Sequence, residues 1–258
     1  MAFEKIALIK KRIIPTLLYK DFTLVKGVSF HSWRRIGSVM QAVKVYNMRE
    51  VDELAFFDIT ATADGREPDF NLVDEFADEC FMPLTVGGGI RDVEDIRRLL
   101  KCGADKVSIN SAAVTNPGIV RNGADKFGSQ CIMVSIDAKK SDQNKYEVVT
   151  HSGTKPTGIS PAKLAKEMEC LGAGEIIITS VDNDGTMAGY DIELIKSVVD
   201  AVSIPVIASG GAGNFQHMKE AFCCGASAAA AASIFHFTEM TPLETKRFLK
   251  DSGINVRI

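Results

Sequence analysis

Short apolar runs alternate along this chain with longer segments whose apolar positions recur at helical spacing. The strand-like runs are Ile13–Leu18, Leu54–Ile59, Leu84–Val86, Val107–Asn110, Ile132–Asp137, Ile176–Ser180, Val206–Ser209 and Ala228–Ile234. Between them lie amphipathic patterns such as VEDIRRLLKCG from Val93 and PAKLAKEMECLG from Pro161. Short strands separated by helices, with no long linker, predict parallel βα units.

The pattern also repeats. MPLTVGGGIRDVEDIRRLLKCGADKVSINSAA, from Met82, is echoed in the second half by IPVIASGGAGNFQHMKEAFCCGASAAAAASIF, from Ile204. Upstream, RIIPTLLYKD (from Arg12) aligns with CIMVSIDAKK (from Cys131), which sets Leu18 opposite Asp137. A duplicated half favours a closed (βα)8 TIM barrel over an open doubly wound sheet, whose two edges a duplication would not naturally supply. No GxGxxG follows the first strand, which argues against a dinucleotide-binding fold. One barrel domain over residues 1–258 is expected, a length such barrels often reach.

Barrel enzymes carry their sites at the C-terminal ends of the strands. The polar residues predicted there are Asp58, Thr60, Asn110, Ser111, Asp137, Ser180, Asp182, Asp184, Ser209 and Ser233. Helix capping accounts equally well for Asn110, Ser111 and Ser209. Asp137 closes the apolar run CIMVSI, ahead of Lys139 and Lys140, and is the candidate general acid or base. Gly87-Gly88-Gly89 follows the third strand, and Gly210-Gly211 with Gly213 follows the seventh. Such junctions bring backbone N–H groups close to an oxyanion, and two copies at symmetric positions point to a ligand with a phosphate at each end. Ser108, Asn110, Thr179 and Ser233 are candidate donors to those phosphates.

At the opposite end, Arg12, Glu53, Lys106 and Glu175 each precede an apolar run. Unpaired charge at the foot of a barrel is costly, so two acids and two bases there predict a salt-bridged ring. A ring able to open would gate a passage through the bore.

Composition narrows the partners. A net charge of −3, with basic residues scattered apart from Lys10-Lys11-Arg12 and Arg34-Arg35, leaves no nucleic-acid footprint. No run approaches a membrane span of about 18 apolar residues, and the N-terminus lacks the pattern of a signal peptide. Cys80, Cys102, Cys131, Cys170, Cys223 and Cys224 include no CxxC pair, which predicts buried reduced thiols and a cytoplasmic location. His31, His151, His217 and His236 lack metal-ligand spacing, and neither metal nor cofactor is expected.

The segments RIIP, VKG (Val25), DELAFFDIT, PLTVGGGI, GADKVSINSAA, FGSQC, GAGEIIITS, DGT, GYD, IPVIASGGAG and SIFHF span nearly the whole chain. Together they resemble the cyclase subunit of imidazole glycerol phosphate synthase, the HisF family. The resemblance implies a heterodimer with a glutaminase docked at the foot of the barrel. Ammonia would pass a gate of Arg12, Glu53, Lys106 and Glu175 and reach a phosphorylated substrate. The phosphate-binding set would be Gly88, Gly89, Asn110, Thr179, Asp184, Gly185, Gly210, Gly211 and Ser233.

The family's chemistry uses two aspartates, one ending the first strand and one the fifth. The second is Asp137; the first falls on Leu18, where LLYKD stands for the family's LDVKDG. Asp21 aligns with the ordinary Lys-Asp of that loop and does not replace the missing carboxylate. Phe22 stands for the loop's glycine, and with Trp33, Arg34 and Arg35 it predicts a remodelled lid. These departures resemble a paralogue found with surface-polysaccharide genes, which supplies ammonia to an N-acetyl sugar amidotransferase acting on a nucleotide-linked sugar. The alternatives are an authentic cyclase of histidine biosynthesis and a scaffold that only activates a glutaminase.

Overall fold

The computed structural model describes residues 10–141 and 143–258. The segment before Lys10, where no signal peptide is expected, lies outside the described residues. The eight barrel strands are β1 (Arg12–Lys20), β4 (Leu54–Asp58), β5 (Leu84–Gly87), β6 (Lys106–Ile109), β7 (Ile132–Lys140), β10 (Glu175–Ser180), β11 (Val206–Ser209) and β12 (Ala228–Ala231). Each pairs in parallel with the next, and β12 returns to β1 through Arg12↔Ala228 to Pro15↔Ala231, so the sheet closes. The fold is a (βα)8 TIM barrel.

Period-two alternation sorts the side chains. On β1, Ile13, Leu17 and Tyr19 join the large apolar layer beneath the helices. Ile14 faces inward and packs with Ala55, Met133, Ile177, Ile207, Ala228 and Ala230, with Phe57 beside them. Helices α1 (Val39–Met48), α2 (Phe70–Ala77) and α3 (Val93–Lys101) surround the first half. The short α4 (Ser111–Thr115) and α5 (Gly118–Phe127) follow β6, and α6 (Pro161–Cys170) and α7 (Ile192–Val199) flank β10. Next come α8 (Phe215–Cys223), the short α9 (Ser233–Phe237) and α10 (Pro242–Asp251). Their starts are written in the sequence: Asp92 accepts from the N–H groups of Glu94 and Asp95, and Thr241 with Glu244 forms a capping box.

The repeat recurs in the structure at a constant offset of 122 residues. Strand starts 84 and 206, helix starts 93 and 215, strand starts 106 and 228, and helix starts 111 and 233 all correspond. The eighth strand is shorter than its sequence suggests. It ends at Ala231, and Ser233 and Ile234 open α9 instead, because an Ala-Ser-Ile stretch does not mark by itself where the strand stops. All six cysteines are free, but none is buried: Cys170 and Cys223 are exposed and the others intermediate, since helix ends rather than core faces carry most of them. No described helix is long and apolar enough to cross a membrane.

Both half-barrels continue their first strand into an antiparallel hairpin over the mouth. β1 pairs with β2 (Thr23–Val28), which pairs with β3 (His31–Gly37); β7 pairs with β8 (Tyr146–Thr150), and β8 with the short β9 (Lys155–Pro156). The β1–β2 turn puts Asp21 at φ 48° and Phe22 at φ 62°, the left-handed pair that hairpin turns favour and glycine fits best. Phe22 is 92% exposed, so it packs nothing and is not part of a lid over the mouth. Left-handed backbone costs a non-glycine residue about 1 kcal/mol. Phe22→Gly is therefore expected to raise unfolding stability by roughly that amount in urea titrations, an unchanged midpoint counting against turn strain.

Candidate functional site

At the N-terminal end of the bore the four predicted charges form a closed ring. Arg12 Nη1 lies 2.6 Å from Glu53 Oε2 and Nη2 lies 2.6 Å from Glu175 Oε1. Lys106 Nζ lies 2.9 Å from Glu53 Oε1 and 2.7 Å from Glu175 Oε2. Thr85 Oγ1 donates to Glu53 Oε1 at 2.8 Å, so this buried carboxylate is fully engaged. Burial alone would raise the Glu175 carboxyl, but the charges of Arg12 and Lys106 outweigh it and hold it below the ordinary glutamate range. A folded value below the unfolded one means this stabilisation is present above the unfolded carboxylate range. It is lost as pH falls through the folded value.

At the other end, Gly88, Asn110, Asp137, Thr179, Asp184, Gly185, Gly210, Gly211 and Ser233 line one cavity of about 150 Å³. Gly89 is outside that lining, its N–H donating to Thr62 Oγ1 at 3.3 Å. The glycines are also required by the chain itself. A Cβ on Gly88 would lie 2.2 Å from the Asp58 carbonyl oxygen, and one on Gly211 would lie 2.0 Å from that of Gly189. Tight turns thus explain both glycine loops without any anion. The stronger pointer to a polar ligand is a set of buried hydroxyls on residues that line the same cavity, those of Thr16, Ser108 and Ser233, none with a hydrogen-bond partner among the described residues. Buried polar atoms are rarely left so, and a ligand or water at the mouth would satisfy them.

Asp137 projects from β7 into this cavity. Burial pushes its carboxyl up to about 7, the Asn110 hydrogen bond (Nδ2 to Oδ2, 2.9 Å) works the other way, and Asp184 adds to the rise. Asn110 thus bonds Asp137, and its side chain makes no cap for α4. Ser111 makes no such cap either: its hydroxyl donates to Asn110 Oδ1 at 3.3 Å and accepts from His151 N–H at 3.1 Å. A carboxyl titrating near 7 can hold or release a proton at neutral pH. Because the folded value exceeds the unfolded one, stability falls as pH rises from about 4 to 7. Asp137→Asn, which keeps the shape but not the charge, is expected to stabilise the protein by about 4 kcal/mol at pH 8. The gap should narrow towards pH 5 in paired urea titrations; a gap independent of pH would exclude a raised carboxyl.

Leu18 lines the same cavity. Asp21 does not: it stands at the exposed hairpin turn, 3.5 Å from Lys20 Nζ. Asp58, predicted at the mouth, organises its own loop, accepting from the N–H groups of Thr60 and Ala61 and from Arg66. Asp182 accepts from Lys140 N–H and so ties down the second hairpin.

Sequence reasoning left one functional-looking residue without a role. Lys26 of β2, within the VKG segment, is buried, and its Nζ lies 2.5 Å from Asp184 Oδ2. The Ser29 N–H adds a bond to the Asp184 carbonyl, so the first hairpin is pinned on the loop after β10. A lone lysine inside an alternating apolar strand was the available signal. The second hairpin closes from the other side, Ser152 Oγ donating to the Ile59 carbonyl at 2.7 Å. Of the lid residues expected, Trp33 lines the cavity, while Arg34 lies outside it over the Phe237 ring. No group of histidine, cysteine or acidic side chains suited to a metal occurs among the described residues.

In comparison with known families, residues 12–241 match the family described as "Histidine biosynthesis protein".

Proposed function

The chain belongs to the histidine biosynthesis protein family, and from that premise we propose that it is a HisF-like barrel passing ammonia from a glutaminase to a phosphorylated acceptor. Ammonia would enter at the ring of Arg12, Glu53, Lys106 and Glu175, one of whose bridges must open, and leave at the cavity holding Asp137. The acceptor would be a nucleotide-linked N-acetyl sugar for surface polysaccharide, amidated together with a sugar amidotransferase. The phosphates would bind at Gly88, Asn110, Thr179, Asp184, Gly185, Gly210, Gly211 and Ser233, with Gly89 flanking them.

The observation that carries this choice of acceptor is Leu18, an apolar side chain in the cavity where the HisF pattern has its first aspartate. Leucine neither donates nor accepts a proton, so the two-carboxylate cyclisation cannot run unchanged. A second reading, the authentic cyclase of histidine biosynthesis, draws on Asp137, whose carboxyl is poised near neutral pH.

The purified chain with the histidine-pathway bisphosphate and saturating ammonium salt separates them. No imidazole glycerol phosphate is expected. Turnover at rates usual for enzymes, about 1 s⁻¹ or more, would establish the second reading and remove the first.

A further inference from the structure

We infer that His217 is a positioning residue for the second glycine loop, a latch that holds the loop through a hydrogen bond made only while its Nδ1 carries no proton. The duplication exposes it. At the offset of 122 residues that relates the two halves, Arg91 corresponds to Gly213, Asp92 to Asn214 and Asp95 to His217. Both halves make the same two bonds at these positions. Asp92 Oδ1 accepts from the Asp95 N–H at 2.9 Å, and Asn214 Oδ1 from the His217 N–H at 3.0 Å. The Arg91 N–H donates to Asp95 Oδ2 at 2.9 Å, and the Gly213 N–H to His217 Nδ1 at 3.2 Å. A side chain in the first turn of α3 or α8 thus ties back the loop that precedes it.

The two acceptors differ in chemistry. A carboxylate ordinarily accepts throughout the neutral range, whereas histidine changes charge within it, and an imidazolium has donors alone. The second latch is also weakly set. Asn214 Oδ1 is taken by the His217 N–H, so Asn214 presents the donor Nδ2 to His217 Nε2 at 3.1 Å. A neutral ring carries one N–H, so it can accept from Gly213 or from Asn214 and not from both. Protonation removes the Gly213 bond outright.

The ring also lies against Gly189 of the loop after β10, where a Cβ would stand 3.6 Å from His217 Cδ2. The Gly189 N–H donates to the Gly211 carbonyl, and Gly211 lines the cavity, so the latch reaches the mouth. Charged groups on the surrounding elements are Asp182, Asp184 and Asp191 after β10, Glu193 and Lys196 on α7, and Lys219 and Glu220 on α8 itself. On its other side α8 meets α10 through the Phe215–Phe248 ring pair. None of these charges bonds the imidazole among the described residues, and Asp182, Asp184, Asp191 and Glu193 are held by Lys140, Lys26 and Tyr146. An anion at Gly210-Gly211 would therefore gain the freed Gly213 N–H and the charge of the protonated ring. That consequence rests on the phosphate-binding reading above; the latch itself does not.

In nitrogen-15-labelled protein titrated from pH 8 to pH 5.5 by NMR, the Gly213 amide is expected to shift with the same midpoint as the His217 ring nitrogens, while the Arg91 amide does not follow them. His217→Asp, which installs the acceptor of the first half, should abolish the Gly213 response in that range. Sulfate, a dianion throughout, would be titrated by calorimetry in an Asp137→Asn background, which removes the other group titrating at the mouth. Its affinity is expected to rise about tenfold between pH 8 and pH 5.5, and by less than about twofold once His217→Asp is added. A Gly213 amide indifferent to the ring's protonation, or a ring whose charge never changes across the range, would overturn the latch. A rise in sulfate affinity equal with and without His217→Asp would overturn its part in anion binding. Absence of sulfate binding at both pH values would remove the phosphate-binding reading, with the Gly213 response still deciding the latch.

Discussion

Leu18→Asp is expected to create or raise ammonia-dependent formation of imidazole glycerol phosphate by about 10²–10⁴-fold over the unaltered chain, the usual range for one general acid–base group. Leu18 and Asp137 line the same cavity, and the new side chain would enter from β1 while Asp137 enters from β7. Two carboxyls sharing a mouth separate in proton affinity, one favouring the ionised and the other the protonated form. Asp137 already titrates near 7 through burial, and a second negative charge would push it further towards the acid role. The assay is discontinuous product detection with ammonium salt and the histidine-pathway bisphosphate, without any glutaminase. Persistent inactivity in a folded Leu18→Asp protein would mean that the altered first hairpin over the mouth, rather than the missing carboxylate, blocks the family's reaction.

Removing one cation from the ring should have the second large effect. Lys106→Ala leaves Arg12 as the one cation bridging Glu53 and Glu175 among the described residues, with Glu53 only 2% exposed. Breaking a buried charge network by deleting one partner typically costs about 3–5 kcal/mol, because the remaining charge stays desolvated. Lys106 retains some solvent contact, so the lower part of that range is expected in denaturant titrations. Glutamine-fed transfer should also lose its coupling, hydrolysis outrunning amidation, while the ammonium-fed reaction remains within about twofold. A stability loss below about 0.5 kcal/mol, or unchanged coupling, would show that the ring neither holds the barrel foot together nor meters ammonia.

The barrel was legible because its signals are local and repeated. Strand starts at Leu84 and Val206 and caps at Asp92 and Asn214 depend on neighbouring residues alone, and the duplication states them twice. The four ring charges could be named because each opens or immediately precedes a strand, a position readable without coordinates. The ending of the eighth strand was not legible, since Ala228–Ala232 is equally compatible with strand and helix. Nor was the exposure of Phe22, because a positive φ in a two-residue turn aims the side chain independently of its hydrophobicity.

By itself, then, the amino-acid order determined an eight-unit barrel, its closing charges and an apolar residue at position 18 aligned with Asp137 in the repeat, all read from local positions along the chain. Only the tertiary structure decided what surrounds that residue. Lys26 meets Asp184 from 158 positions away, and Asn110 turns from its helix to Asp137. Pairing, burial and proton affinity at the mouth depend on which distant groups share a low-dielectric space, and that is set only when the sheet closes.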